Sequence, residues 1–199
     1  MILPAGEYRY EIRRGAELVA IEEDSLDERG IRGVRLSANG SSRFEAEAEL
    51  DDAGRVRRLA VRYARGPFTR DASYEVADDF LRGSVSALAG RNVVAVKLGR
   101  FREVDTDLIL FRALILAHLR ERGEPRWTGR VAIIDSATLV AAVYKQSCHR
   151  LGSGGNLWIY ETRMGDSEQI EIDPAGRIQS RRDNRGIEAT LIETTLTPR

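Results

Sequence analysis

The chain has 199 residues, 42% of them hydrophobic and 31% charged, and its formal net charge is zero. This is the composition of an ordinary globular protein long enough to bury a sizeable core. A zero net charge supplies no long-range field to hold a polyanion, which argues against nucleic acid as a partner. Lys97 and Lys145 are the only lysines among 31 basic residues, so the positive charge is almost entirely arginine and is spread evenly. Cys148 is the single cysteine, and no intrachain disulfide can form. The opening Met1-Ile2-Leu3-Pro4-Ala5-Gly6 lacks the basic stretch and long apolar run of a secretory signal. The longest apolar stretch, residues 108–119, is interrupted by Arg112 and His118. It falls short of the roughly 20 residues a membrane-spanning helix needs. The reading is a soluble cytoplasmic protein, with an envelope location only where a leader has been trimmed away.

Tyr8, Tyr10 and Ile12 alternate with Glu7, Arg9 and Glu11, the period-two pattern of a half-buried strand. Arg14-Gly15 turns the chain into a second strand at 18–21, and Gly30 and Gly33 bracket a turn or bulge before Val34, Leu36 and Ala38. Asn39-Gly40 tolerates the positive φ that a tight hairpin requires. Phe44, Ala46, Ala48 and Leu50 against Arg43, Glu45, Glu47 and Glu49 form the clearest strand. Further strands are expected at 56–64, 72–76, 80–88 and 93–98, with a turn over Ala89-Gly90-Arg91-Asn92. From 107 to 122 the period changes to that of a helix, apolar on nearly every side and therefore buried. Asp105 or Thr106 is expected to cap its N–H groups, Asp107 to meet the positive end of its dipole, and Gly123 and Pro125 to stop it. Strands resume at 127–134, 138–147, 157–164, 168–172, 177–182 and 187–194. The turns among them include Gly152-Ser153-Gly154-Gly155 and Gly165-Asp166.

Two segments echo one another across the helix. Glu49-Leu50-Asp51-Asp52-Ala53-Gly54-Arg55-Val56 parallels Glu171-Ile172-Asp173-Pro174-Ala175-Gly176-Arg177-Ile178. An Asp that bonds the backbone ahead of it and a Gly in the left-handed region suit a three-residue hairpin loop with a bulge. The expectation is a single domain over 1–199, with a first β half at 1–103, a central helix at 104–123 and a second β half at 124–199. Its fold class is mainly β: a curved, antiparallel open β roll of about a dozen strands, two similar halves and one central buried helix. Gly6-Glu7-Tyr8-Arg9-Tyr10, the paired hairpins and the apolar mid-chain helix resemble bacterial open β-roll domains of unknown function. Those domains are similar in shape to lipoprotein carriers and glycolipid-binding proteins. The resemblance implies a curved sheet that cups a helix or a lipid, and it transfers no catalytic residue.

No nucleophile elbow, metalloprotease helix, Walker loop or complete dinucleotide fingerprint occurs. Cys148 and His149 are adjacent, so on a strand they point to opposite faces and cannot act as a dyad. His118 and His149 lack metal-ligand spacing, and neither a metal nor a cofactor is expected. Glu45, Glu47 and Glu49 read as the solvated face of a strand, and Arg177, Arg181, Arg182 and Arg185 as a charged edge that discourages strand pairing. Arg112 is the residue that stands out. A guanidinium within an apolar helix must be paired or must point to an opening, with Asp105, Asp135 or an acidic ligand head group as its partner.

Ala20, Ala46, Ala48, Ala132 and Ala142 fall where inward-facing strand positions are plausible, and small residues leave room that helix side chains or a ligand must fill. The expected function is non-catalytic binding of a lipid-like or other apolar small molecule in the sheet–helix concavity. Arg112 or an arginine at the mouth would hold its polar head, and Trp127, Tyr144, Trp158 and Tyr160 would line the mouth. The alternatives are a protein-interaction or homodimerisation module, built on an exposed strand edge or helix face, and an uncharacterised hydrolase.

Overall fold

A computed structural model of the chain describes residues 3–87, 90–152, 156–162 and 166–197. The first eight strands are β1 (Gly6–Arg14), β2 (Glu17–Leu26), β3 (Gly30–Ser37), β4 (Ser42–Leu50), β5 (Val56–Arg65), β6 (Phe68–Ala77), β7 (Phe80–Ala87) and β8 (Gly90–Lys97). A short β9 (Val104–Asp105) and the helix α1 (Ile109–Glu121) follow. The chain ends with β10 (Arg126–Ile134), β11 (Ala141–Leu151), β12 (Leu157–Glu161), β13 (Ser167–Ile172), β14 (Ile178–Asp183) and β15 (Ile187–Leu196).

These make one 15-stranded sheet in the order β8-β7-β6-β5-β4-β3-β2-β1-β15-β14-β13-β12-β11-β10-β9. Chain neighbours are sheet neighbours except β8 and β9, which lie at opposite edges, and the first and last long strands join the two runs at the middle, Gly6 opposite Leu196. The sheet is mixed rather than wholly antiparallel, because β9 pairs parallel to β10, Val104 opposite Ala132. The segment leaving β8 must cross to β10 before entering the helix, so β9 arrives in the same direction as its neighbour. It was too short to carry an alternation signal. The sheet remains open: β8 comes close to β11 without bonding to it. Two contacts tie its ends together, Tyr74 Oη donating to the Leu139 carbonyl at 2.5 Å and Arg70 Nη1 to the Ala137 carbonyl at 2.7 Å.

The fifteen strands among the described residues exceed the expected dozen: fourteen correspond to strand segments read from the sequence, and β9 adds one. The hairpin turns at Asp51 and Asp173 are built alike. In each, the Asp N–H bonds the carbonyl four residues on, the Gly N–H bonds back to the Asp carbonyl, and the register shifts at the strand end. The arginine-rich β14 is no edge strand; it lies between β13 and β15. Its charges sit within the sheet's cross-strand pairing. The expected turn residues Ser153, Gly154, Gly155, Gly165 and Ala89 lie outside the described residues. Among the described residues, no helix is long and apolar enough to cross a membrane.

The concave face packs on α1. Every residue from Leu108 to Leu119, Arg112 and His118 included, is at most 5% exposed. Tyr10, Phe44, Ala46, Leu59 and Leu81 from the first strands share one core cluster with Val131, Trp158, Tyr160 and Ile170 from the last. Each fully buried Leu, Ile or Phe contributes roughly 1.5–3 kcal/mol. That burial requires a solution for the helix end, whose first N–H groups have no partners within the helix.

The solution is not the expected local cap. Leu108 occupies the N-cap with no side-chain bond, and no acidic residue lies in the first turn. Thr106 Oγ1 accepts the Leu108 N–H at 3.1 Å. Beyond that, β2 supplies the acceptors: the Ile109 N–H donates to Glu22 Oε1, and the Leu110 N–H to Asp24 Oδ2 at 3.2 Å. Arg35, opposite Glu22 on β3, donates to Glu22 Oε2 at 2.7 Å and to the Asp107 carbonyl. Asp105 does not cap the helix; its Oδ2 is bound to Arg112. Gly33 leaves the space. A Cβ there would lie 2.3 Å from Asp24 Oδ1 and 2.6 Å from Leu108 Cδ1.

Burial, then the neighbouring Glu22 carboxylate, push Asp24 well above the usual carboxylate range. A carboxyl raised on folding stabilises the fold below its unfolded pKa and loses that contribution as pH rises toward its folded value. Asp24→Asn keeps an acceptor for Leu110 and a neutral side chain. The expected outcome is a thermal midpoint that gains on the parent protein's steadily as pH is raised from 4 to 8, followed by calorimetry; parallel curves would show that Asp24 carries a charge in the fold.

Candidate functional site

A strongly polar opening lies beside the start of α1. It is a cleft of about 240 Å³ reached by Asp105 from β9, Arg112 from α1, Glu168 from β13 and Arg181 from β14. Pairing register explains how β13 and β14 deliver their charges. Trp127, Cys148, Tyr160, Glu168 and Asp183 stand abreast on successive strands β10 to β14. Trp158, Ile170 and Arg181 form the adjacent row. Because side chains alternate along a strand, Glu168 shares its face with Ile170 and Ile172. The face that packs on the helix therefore ends in charges at the cleft.

Arg112 organises the site. Its Nε donates to Asp105 Oδ2 at 3.0 Å, Nη2 bonds the same oxygen, and Nη1 donates to Glu168 Oε2 at 2.7 Å. The guanidinium lies 4.0 Å above the Tyr160 ring centroid, a cation–π contact in a dry setting. Arg181 reaches the other oxygen of Glu168 at 3.3 Å. Burial works against the charge on Arg112, but Asp105 and Glu168 outweigh it and hold the guanidinium above its ordinary value. The balance at Asp105 runs the other way. Burial raises its carboxyl despite Arg112. Asp105 is fully buried, and its Oδ1 has no hydrogen-bond partner among the described residues.

The expected site residues are thus placed as follows. Arg112 lines the cleft, paired to Asp105 as one of its expected partners and to Glu168, which sequence reasoning missed. Asp135 also lines the cleft, but its Oδ1 accepts the N–H groups of Ala137 and Thr138 within its own turn. Tyr160 is buried beneath Arg112 and donates to Gln146 Oε1. Trp158 and Trp127 are buried deeper on the same face, with both indole N–H groups lacking a partner. Tyr144, half-buried opposite Val131, packs on the core away from the cleft lining. A visible signal did exist for the missed acids. Glu22 and Asp24 alternate in phase with Ala20 and Leu26, and Glu168 with Ile170 and Ile172, so carboxylates stand on apolar faces.

Cys148, His118 and His149 are not among the described residues that line the cleft. Cys148 is buried, and burial pushes its thiol up to about 12, so the nucleophilic thiolate is scarce at neutral pH. His118 sits at the far end of α1 with Nδ1 3.1 Å from Glu103 Oε2. Among the described residues, no three or more His, Cys, Asp or Glu side chains are placed to hold a metal ion.

The fold has a counterpart among solved structures. A crystal structure of a DUF1089 family protein from Pseudomonas aeruginosa superposes with a TM-score of 0.52, covering 88% of this chain and 89% of that one at 17% identity. At that identity the likeness concerns the fold alone. No family model matches the sequence, and no curated protein does.

Breaking a buried ion group by removing one partner leaves charge stranded, whereas neutralising every member removes the penalty. Arg112→Met should cost about 3–5 kcal/mol in urea unfolding. Combining it with Asp105→Asn and Glu168→Gln should restore most of that loss; a triple variant no more stable than the single would show that packing, not charge, is what Arg112 supplies.

Proposed function

We propose that this protein binds a small amphiphilic molecule without transforming it. The polar end sits in the cleft at Arg112, and the apolar part enters the seam between α1 and strands β10 to β13. The observation that carries the reading is the cleft itself: a polar recess that reaches a buried ion network at the end of an otherwise apolar helix–sheet interface. Ligand sites commonly combine an apolar wall with a few convergent polar groups that fix orientation. Further support comes from the buried rings of Trp127, Trp158 and Tyr160 on the same strands, which give that seam an aromatic wall. The lipid-like ligand class, the likeness in shape to lipid carriers and the kinship of the two β runs all belong to this reading.

Trp127 and Trp158 are the only tryptophans, so emission reports directly on the seam. Titration with octylammonium, octyl glucoside and octanoate should shift or quench that emission for at least one of them, and native mass spectrometry should show the matching one-to-one adduct. No adduct and no spectral change with any of the three would end the proposal.

A second reading, self-association, is favoured by β8. It is an edge strand whose Val93 is 85% exposed, and an edge presents unpaired backbone groups to another chain. Light scattering that gives a dimer, reverted to monomer by Val93→Lys, would support this reading; a parent monomer at all concentrations would remove it.

A further inference from the structure

Resting on the reading of the cleft as a ligand site, we infer that it selects a cationic head group that donates N–H bonds, an alkylammonium or amidinium, over an anionic one. The arginine-centred expectation was the reverse: a guanidinium waiting for an acid. The geometry around Arg112 removes that role, since both faces of its fork are already occupied by Asp105 and Glu168. Arg181 is committed to Glu168 at 3.3 Å. Arg185, the remaining cation in the described lining, is paired with Asp183 at 3.2 Å and sits exposed at the rim. An entering anion would have to break one of these pairs and leave a carboxylate behind.

The acceptors, by contrast, are in surplus. Among the described residues five carboxylates and three guanidinium groups line the cleft, an excess of acceptors. Two of the acids have capacity to spare. Asp105 is fully buried with Oδ1 unpartnered, and the Asp166 carboxylate makes no ion pair among the described residues. A buried acceptor without a donor is costly, and a charged N–H donor is the strongest partner for it. A cation near Asp105 would also oppose the burial that raises its carboxyl, favouring the ionised form. A bare metal ion does not suit the same acids. They are spread around the cleft, and no three of them converge on one point among the described residues. An organic cation with several N–H groups matches that spacing, and a recess of about 240 Å³ admits a head group of that size.

The test compares octylammonium, octyl glucoside, octanoate and propylammonium by titration calorimetry and tryptophan emission, with the whole chain at low and moderate salt. Octylammonium should bind at least about tenfold tighter than octanoate, with the margin narrowing as salt screens the exposed part of the field. Asp166→Asn, at the margin of the cleft and outside the buried ion group, should weaken octylammonium severalfold without changing octyl glucoside. Asp105→Asn should weaken it further. Because that variant disturbs Arg112, Asp166→Asn keeps the test standing if Asp105→Asn fails to fold. Octanoate or octyl glucoside binding as tightly as octylammonium would overturn the cationic assignment while leaving ligand binding intact. Octylammonium binding untouched by Asp166→Asn and by a folded Asp105→Asn would place the cation elsewhere and overturn it too. Propylammonium separates a free small amine from an amphiphile: equal affinity would keep the cationic assignment and remove the tail from the seam. Silence from all four would remove both the assignment and the site.

Discussion

Everything else in this structure depends on the docking of one helix end onto a sheet. A helix whose whole circumference is apolar gains by being enclosed, but enclosure takes its first N–H groups out of water, where nothing in the helix can pair them. Here β2 answers with two carboxylates on its inward face. Glu22 and Asp24 receive Ile109 and Leu110, Arg35 bonds Glu22, and Gly33 withholds a side chain so that Leu108 can approach. The anions also stand where the helix dipole is positive. Remove that arrangement and the apolar contacts of α1 would be bought with unpaired backbone.

A second inward set of charges follows the same logic one turn along. Arg112 is almost wholly buried at its place on α1, so β9 and β13 bring Asp105 and Glu168 to it, while the Tyr160 ring supports the guanidinium from below. The two sets differ in their outlook. The Glu22 and Asp24 acids receive the helix backbone, whereas the Arg112 group borders a solvent-reached recess; Asp24 Oδ1 and Asp105 Oδ1 are both without a partner among the described residues. In the second set the unused acceptor stands in the lining of a strongly polar recess. That placement is why the cleft, rather than the interior, is the place to seek a ligand.

The outer face of the sheet shows what ordinary charges look like in the same protein. Arg32 with Glu47, Arg57 with Glu49, and Arg58 with Glu75 pair across or along strands with most of their surface in water. Exposed pairs of this kind contribute little to stability and keep the surface soluble. Their arginines and acids are indistinguishable by residue type from Arg112, Arg181 and Glu168. Only phase along the strand separates them: alternate with Tyr, Val or Ile and the charge faces water; fall in step with them and it faces the core.

Local sequence determined the strands, the hairpins at Asp51 and Asp173, the limits of α1 and its burial. Each of these follows from periodicity, turn residues and apolar content within a short window, and the physics that sets them acts over a few residues. The odd position of Arg112 was legible for the same reason. What the tertiary structure alone decided is who meets whom: that the helix cap comes from β2 and not from Asp105, that β14 is an interior strand, that β9 runs parallel, and that Glu168 and Arg181 arrive at Arg112. Those pairings join residues far apart in the chain through the order and curl of the sheet, and no short stretch of sequence encodes the curl.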